Sequence, residues 1–86
     1  MAGEMARTLS EVLACEARDE ALAGVAVVRV ELSGSTARVF FTGGFHPLET
    51  AKALERASGF LRACLARDMG LAKVPRLIFL PQSPQE

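Results

Sequence analysis

The fold of this 86-residue chain is decided by residues 48–70, which read LETAKALERASGFLRACLARDMG. Apolar residues recur every three or four positions on both sides of Ala57-Ser58-Gly59, as they do in amphipathic helices. They are Leu48, Ala51 and Leu54 before the tripeptide and Leu61, Cys64 and Leu65 after it. Gly59 costs an uninterrupted helix about 1 kcal/mol relative to Ala, whereas Ser58 is a preferred N-cap. The pattern predicts two helices joined by a kink and capped at Ser58; the alternative is one long helix that tolerates Gly59.

Such a kink has a chemical consequence at the start of the second helix. The first N–H groups there, near Gly59, Phe60 and Leu61, are expected to lack intrahelical partners and to carry the positive end of the helix dipole. A phosphate could bind at this position, which Arg56 and Arg62 flank on both sides. The alternative is an ordinary helix start that binds only water.

The remaining segments complete an α+β pattern. The predicted elements are, in chain order, a helix over residues 4–19, strands over 25–32 and 36–42, the kinked helices over 48–70 and a strand over 76–80. The connection Ser33-Gly34-Ser35 is so short that the first two strands must form an antiparallel hairpin. Pro47 suits the first turn of the kinked pair, and Gly70 suits its C-terminal end.

The phase of the apolar residues in the hairpin leaves two questions open. Val28, Val30 and Leu32 alternate with Arg29 and Glu31, but Val25 and Val27 are out of phase with them. Either the strand is buried on both faces at its start, or a bulge lies near Val27.

The second strand raises a related question about an aromatic side chain. Ala37, Val39 and Phe41 share one face, which places Phe40 on the other face with Arg38. Phe40 would then either stack on a nucleotide base or be covered by a neighbouring side chain.

These elements predict one α+β domain over residues 1–81, of order α-β-β-α-α-β, followed by a frayed tail over 82–86. The kinked pair should pack with the first helix on one face of a three-stranded sheet, while the other face stays at least partly open. The in-phase apolar positions predict one core, which is formed by Leu9, Val12, Leu13, Val30, Val39, Phe41, Leu54, Leu61, Leu65, Leu77 and Phe79.

The composition argues against several classes of protein. No apolar run approaches the ~20 residues that span a membrane, and the start of the chain does not resemble a signal peptide. Cys15, Cys64 and the single His46 show no metal-ligand spacing, and neither thiol has a recognisable base beside it. We therefore expect a cytoplasmic protein with no enzymatic activity, no cofactor, no metal and no small-molecule substrate.

The charges are distributed unevenly along a chain whose net charge is zero. Residues 1–44 carry four basic and six acidic side chains, whereas residues 45–80 carry six basic and three acidic ones. Such asymmetry can give a neutral protein one electropositive face. The alternative is an ordinary solvated helix surface.

The ordered set of elements resembles the ribosome-binding factor A family, whose type II KH-like domain has an Ala-x-Gly kink. The stretches that carry the resemblance are residues 9–22, the hairpin over 25–41, Leu54 to Leu65 with Ala57-Ser58-Gly59-Phe60-Leu61-Arg62 inside it, and Val74-Pro75-Arg76-Leu77-Ile78-Phe79.

The resemblance implies a bacterial assembly factor that binds the immature small ribosomal subunit and its rRNA. It also implies help in late maturation, including processing of the rRNA 5′ end, and a role in cold adaptation. The RNA-contacting residues that it implies are Arg56, Ser58, Gly59 and Arg62. The charge asymmetry adds Arg67, Lys73 and Arg76 to this set. The alternative function is a small protein-interaction or dimerisation module that uses the open sheet face; for the RNA binder we expect a monomer when free.

Overall fold

A computed structural model describes residues 2–15, 22, 24–43 and 46–82, with the side chain of Cys15 excepted. The elements are α1 Ala2–Cys15, β1 Ala26–Ser33, β2 Thr36–Thr42, α2 Pro47–Arg56, α3 Ser58–Met69 and β3 Arg76–Pro81. This is the predicted order, in an α+β fold. The predicted continuation of the first helix to residue 19, the glycine at position 44 and residues 83–86 of the predicted tail over 82–86 lie outside the described residues. Within the described part of the chain, no helix is long and apolar enough to cross a membrane.

The three strands form one mixed sheet in the order β1-β2-β3. β1 and β2 are antiparallel, as the short turn between them requires. β3 lies parallel to β2, with Ala37 opposite Leu77 and Val39 opposite Phe79. Parallel neighbours need a long crossover, and α2 and α3 supply it. The kinked helix pair is therefore held against the sheet by the two strands that it connects.

A bulge in β1 answers the question left by its apolar phase. The register with β2 shifts between Val27 and Arg29, so that Val28 is the extra residue. Of the three apolar residues that alternate with Arg29 and Glu31, only Val30 is buried, while Val28 is 47% and Leu32 38% exposed. Val28 is displaced by the bulge, and Leu32 lies on an edge strand beside the hairpin turn.

The helices cover one face of the sheet, and the core lies between the two layers. All eleven residues predicted for the core are buried, and Met5, Leu22, Ala37, Ala53 and Cys64 join them. Leu48 does not, because its side chain is 74% exposed while the inward face of α2 is formed by Thr50, Ala53 and Leu54. Each helical residue advances about 100°, which puts Leu48 on the side of α2 away from Thr50.

Gly24 and Gly43 lie in contact at the end of the sheet opposite the hairpin turn. Gly43 follows β2 with a φ of +95°, and a Cβ atom built on it would overlap the carbonyl oxygen of Gly24. The backbone ahead of β1 and the backbone after β2 therefore touch at a point where only glycine fits.

The helix α3 ends at Gly70, which adopts the left-handed conformation, as its sequence position predicted.

Candidate nucleic-acid interface

The kink between α2 and α3 is one residue wide and is centred on Ala57. This residue has φ −88° and ψ 1°, just outside the helical region. Its N–H donates to the carbonyl oxygens of Ala53 and Leu54, both at 3.1 Å, and its own carbonyl oxygen accepts the N–H of Leu61 at 2.9 Å. Ala57 thus ends one helix and begins the next, which confirms the prediction of two helices. Its methyl group packs against the core.

The start of α3 differs from the prediction in two respects. Ser58 is the first helical residue and not the N-cap, which is Ala57 and makes no side-chain capping bond. The N–H of Leu61 is not open to an anion, because it closes the first hydrogen bond of α3. Both differences arise because the near-helical backbone of Ala57 lets α3 begin one residue earlier. Helix geometry leaves only the N–H groups of Ser58, Gly59 and Phe60 without carbonyl partners inside α3.

Gly59 is not required by the kink that it was predicted to make. It is exposed, its φ lies outside the range that L side chains avoid, and a Cβ atom built on it meets nothing within 4 Å. The backbone would accept alanine at this position, so the glycine leaves the outer surface of the first turn of α3 bare. A bare backbone permits close approach by another molecule.

A shallow cleft opens beside the start of α3, with a volume of about 720 Å³. The hairpin turn, α3 and the connector before β3 form its walls, and the lining residues are Gly34, Ser35, Arg62, Ala63, Ala72, Lys73, Val74 and Pro75. Arg62 Nη2 donates to the carbonyl oxygen of Val74 at 3.1 Å, which ties the helix to the connector. The N–H of Arg76 donates to the carbonyl oxygen of Ser35 at 2.9 Å and ties the connector to the hairpin turn.

The cleft is electropositive. Its described lining residues include two cations, Arg62 and Lys73, and no carboxylate. Arg76 is exposed at the first position of β3, next to the connector. Cations that are grouped in a concave surface attract anions more strongly than the same charges spread over a convex one. The structure therefore brings together two of the predicted cations, Arg62 and Lys73, near the kink. Arg76 does not line the cleft, because it alternates with the buried Leu77 and so lies on the open face of the sheet.

The remaining two predicted cations lie elsewhere on the helix pair. Arg56 is the last residue of α2, exposed on the other side of the kink from Arg62. Arg67 lies in the last turn of α3, five residues and about 7.5 Å of helix rise beyond Arg62. Its Nε and Nη2 donate to the Asp68 carboxylate at 2.7 and 3.1 Å. This hydrogen bonding lowers the pKa of Asp68. Arg67 is therefore not part of the cleft.

The question about Phe40 is answered by its neighbour across the hairpin. The Arg29 guanidinium lies over the Phe40 ring, so the aromatic is covered by a side chain. A different aromatic is exposed: Phe60, in the first turn of α3, at 45%. The sequence contained the signal for this, because Leu61, Cys64 and Leu65 define a buried stripe that position 60 does not join.

The open face of the sheet is covered by a polar network. Glu31 accepts hydrogen bonds from Arg29 and Arg38, both at 3.1 Å, and Arg29 also donates to Gln82 at 3.2 Å. Ile78, at the middle of β3, is partly exposed beside this network. The face on which the alternative protein-docking function depends therefore carries a charged network whose side chains are 40–50% exposed.

Cys64 is a buried thiol, outside any disulfide, on the inner side of α3, and the side chain of Cys15 lies outside the described set. His46 is exposed and is the N-cap of α2, with no capping bond from its side chain. Among the residues that the structure describes, no group of three or more His, Cys, Asp or Glu side chains is placed to hold a metal ion.

Comparison with known proteins identifies relatives of this chain by sequence. A sequence model of the family described as ribosome-binding factor A matches residues 1–84. Ribosome-binding factor A of Methylobacillus flagellatus is 39% identical over 83 residues, which are 93% of this chain and 66% of that protein. That of Syntrophus aciditrophicus is 36% identical over 81 residues, or 87% of this chain and 65% of that protein. The chain spans about two thirds of the length of these curated relatives.

A crystal structure and a fitted model of the Thermus thermophilus factor have the same fold. The crystal structure of ribosome-binding factor A from this organism superposes with a TM-score of 0.86 at 34% identity, covering 95% of this chain and 93% of that chain. A homology model of the T. thermophilus factor, fitted into a cryo-EM map of a 30S–RbfA complex, gives a TM-score of 0.79 at 32% identity. It covers 98% of this chain and 93% of that chain.

Proposed function

This chain belongs to the ribosome-binding factor A family, and on that premise we propose that it binds the immature small ribosomal subunit through rRNA. The match of the family over residues 1–84 supports the proposal, as does the likeness to the Thermus thermophilus factor in a 30S complex. It assists late maturation of the subunit in the cytoplasm, including maturation of the rRNA 5′ end and assembly in the cold. It acts by binding and not by catalysis, and it is a monomer when free.

The observation that carries the proposal is the electropositive cleft beside the kink. Arg62 and Lys73 line the cleft, and Arg56 lies on the other side of the kink. A guanidinium can form two parallel hydrogen bonds to one phosphate, and an ammonium contributes a point charge. An rRNA backbone that follows the cleft toward the kink would meet these cations in succession.

The bare first turn of α3 completes this surface. Gly59 allows a phosphate to come close to the N–H groups of Ser58 and Gly59 without a side chain in between. Arg67 contributes less than its charge suggests, because Asp68 already accepts two of its hydrogen bonds. We therefore assign direct phosphate contact to Arg56, Arg62 and Lys73, and a more remote electrostatic role to Arg67 and Arg76.

The test is a pair of double charge reversals in the full chain. Arg56→Glu with Arg62→Glu changes the interface, whereas Arg7→Glu with Arg38→Glu makes the same change of charge on α1 and on the open sheet face. Sedimentation with purified small subunits, at several salt concentrations, measures the binding of each. We expect only the first variant to bind much more weakly and to show a shallower slope of log affinity against log salt, since fewer counterions are released.

Stability is measured alongside to separate binding from folding. Loss of the Arg62 bond to Val74 should cost about 1 kcal/mol, which lowers Tm by less than about 8 °C in a domain of this size. If the interface variant binds normally at physiological salt, the kink has a structural role only and does not contact rRNA. If instead only the control variant loses binding, the subunit contacts α1 or the open sheet face and not the kink.

A further inference from the structure

We propose that Phe60 is a stacking platform for an unpaired nucleobase, so that the surface around the kink takes single-stranded rather than duplex rRNA. This inference rests on the proposed function and specifies its substrate. The sequence left open whether Phe40 stacks on a base or is covered by a neighbouring side chain. In the structure Phe40 is covered, and Phe60 on α3 is the exposed aromatic.

The exposure of Phe60 sets it apart from the other described phenylalanines. Phe41 and Phe79 are buried in the core, and Phe40 lies beneath the Arg29 guanidinium. Phe60 alone among the described phenylalanines presents an open ring, with 45% of its surface exposed. Neither the core nor a covering cation accounts for an aromatic side chain at this position.

The position of Phe60 relative to the cations points to RNA as the occupant. With about 100° per residue, Phe60 and Arg62 project from α3 about 160° apart, and Gly59 and Ala63 lie on the outer surface between them. Arg62 lies on the flank that lines the cleft. The space beside Gly59 is empty. A ligand that crosses this surface meets a cation on one flank and an aromatic ring on the other, and RNA offers both a phosphate and a base.

The chemistry of RNA restricts which form can use the ring. In a duplex both faces of each base are already stacked, and the major groove of A-form RNA is too deep and narrow for side chains to read. Bases in loops, bulges and single strands have a free face that can stack on an aromatic side chain, and such stacking tolerates any sequence. Phe60 therefore favours unpaired segments of rRNA over duplex ones.

The experiment compares two substitutions that separate the π-face of the ring from its apolar bulk. Phe60→Leu keeps an apolar side chain without a ring, and Phe60→Tyr keeps the ring. Binding is measured for an unstructured RNA oligonucleotide that carries 2-aminopurine, for a duplex of equal length and for small subunits. We expect Phe60→Leu to weaken single-strand binding by roughly 5- to 150-fold and to abolish quenching of the 2-aminopurine. Phe60→Tyr should stay within about 3-fold of wild type by the same stacking argument.

The salt dependence identifies which proposal fails if one does. Phe60→Leu should keep the wild-type slope of log affinity against log salt, because stacking releases no phosphate counterions. If it binds all three ligands like wild type while the Arg56 and Arg62 double variant is weakened, stacking is overturned and the proposed function stands. If neither variant is weakened, both fail. Stacking would also be overturned if Phe60→Leu lost affinity equally for the duplex and the single strand. A loss of affinity for small subunits alone would overturn it too, and would indicate that Phe60 contacts a ribosomal protein.

Discussion

The guanidinium carbon of Arg29 lies 4.1 Å from the centroid of the Phe40 ring, across the hairpin on the open face of the sheet. The two residues are paired in the β1–β2 register immediately after the bulge at Val28. The bulge thus sets the register that places a cation over the aromatic. The same guanidinium binds Glu31 and Gln82, so the pair belongs to a network that covers the centre of this face.

This contact should be measurable as a coupling energy. In a double-mutant cycle of Arg29→Ala and Phe40→Leu, we expect the unfolding free energies to depart from additivity by about 0.5–1 kcal/mol, as for other exposed cation–π pairs. Urea denaturation of the four proteins measures it. Additive effects would show that the ring and the guanidinium are neighbours without a net interaction. Binding to small subunits should be unchanged in all four proteins.

Gly43 should be the glycine least tolerant of substitution. In Gly43→Ala the new methyl group would overlap the carbonyl oxygen of Gly24 and would also meet a φ of +95°. We expect a loss of at least about 2 kcal/mol, since backbone cannot yield as a flexible side chain does. Gly34→Ala is the matched control, with a positive φ and open space, and should cost only about 1 kcal/mol. Thermal unfolding that gives equal losses for both would contradict the close contact.

Gly59 should show the opposite behaviour, with stability and function changing in different directions. Gly59→Ala adds a methyl group in open space on a helix, so unfolding should cost up to about 1 kcal/mol more than in wild type. The same methyl group would obstruct the approach of rRNA to the first turn of α3, and affinity for small subunits should fall. Gly3→Ala in the first turn of α1 is the control, because that site is equally open. It should stabilise the protein and leave binding unchanged.

The buried thiol should matter to the core and not to the activity. Cys64→Ala removes a sulfur atom from the inner side of α3, beside Leu61 and Leu65, and should cost about 1 kcal/mol of stability. Binding to small subunits should be unaffected, since the side chain points away from the cleft. Elemental analysis of the purified wild-type protein should find no stoichiometric zinc. A zinc content near one atom per chain would reverse this interpretation of both cysteines.

The sequence alone determined the elements and the core. Apolar residues recur every three or four positions in helices and every second position in strands, so their spacing distinguishes the two. The same spacing identifies which residues share a buried face. That is why Leu9, Leu54, Leu61 and Phe79 could be assigned to one core before any contact was known, and all are buried. The short turn at Gly34 and the break after Arg56 are likewise local, because they depend on the conformational preferences of neighbouring residues.

Only the tertiary structure decided how these elements meet and which surface they expose. Val27 is out of phase with the later apolar residues of β1, and only the register with β2 shows that a bulge is the reason. Phe40 is covered by Arg29, a residue on the other strand of the hairpin. The kink is centred on Ala57 and not on Ser58 and Gly59, since its hydrogen bonds and its packing against the core select the hinge. The residues that line the cleft come from three separate segments, and the first and last of them, Gly34 and Pro75, are far apart in the chain. Contacts between residues so far apart in the chain leave no periodic signal in the sequence, because they are fixed by packing between elements and not by preferences within one.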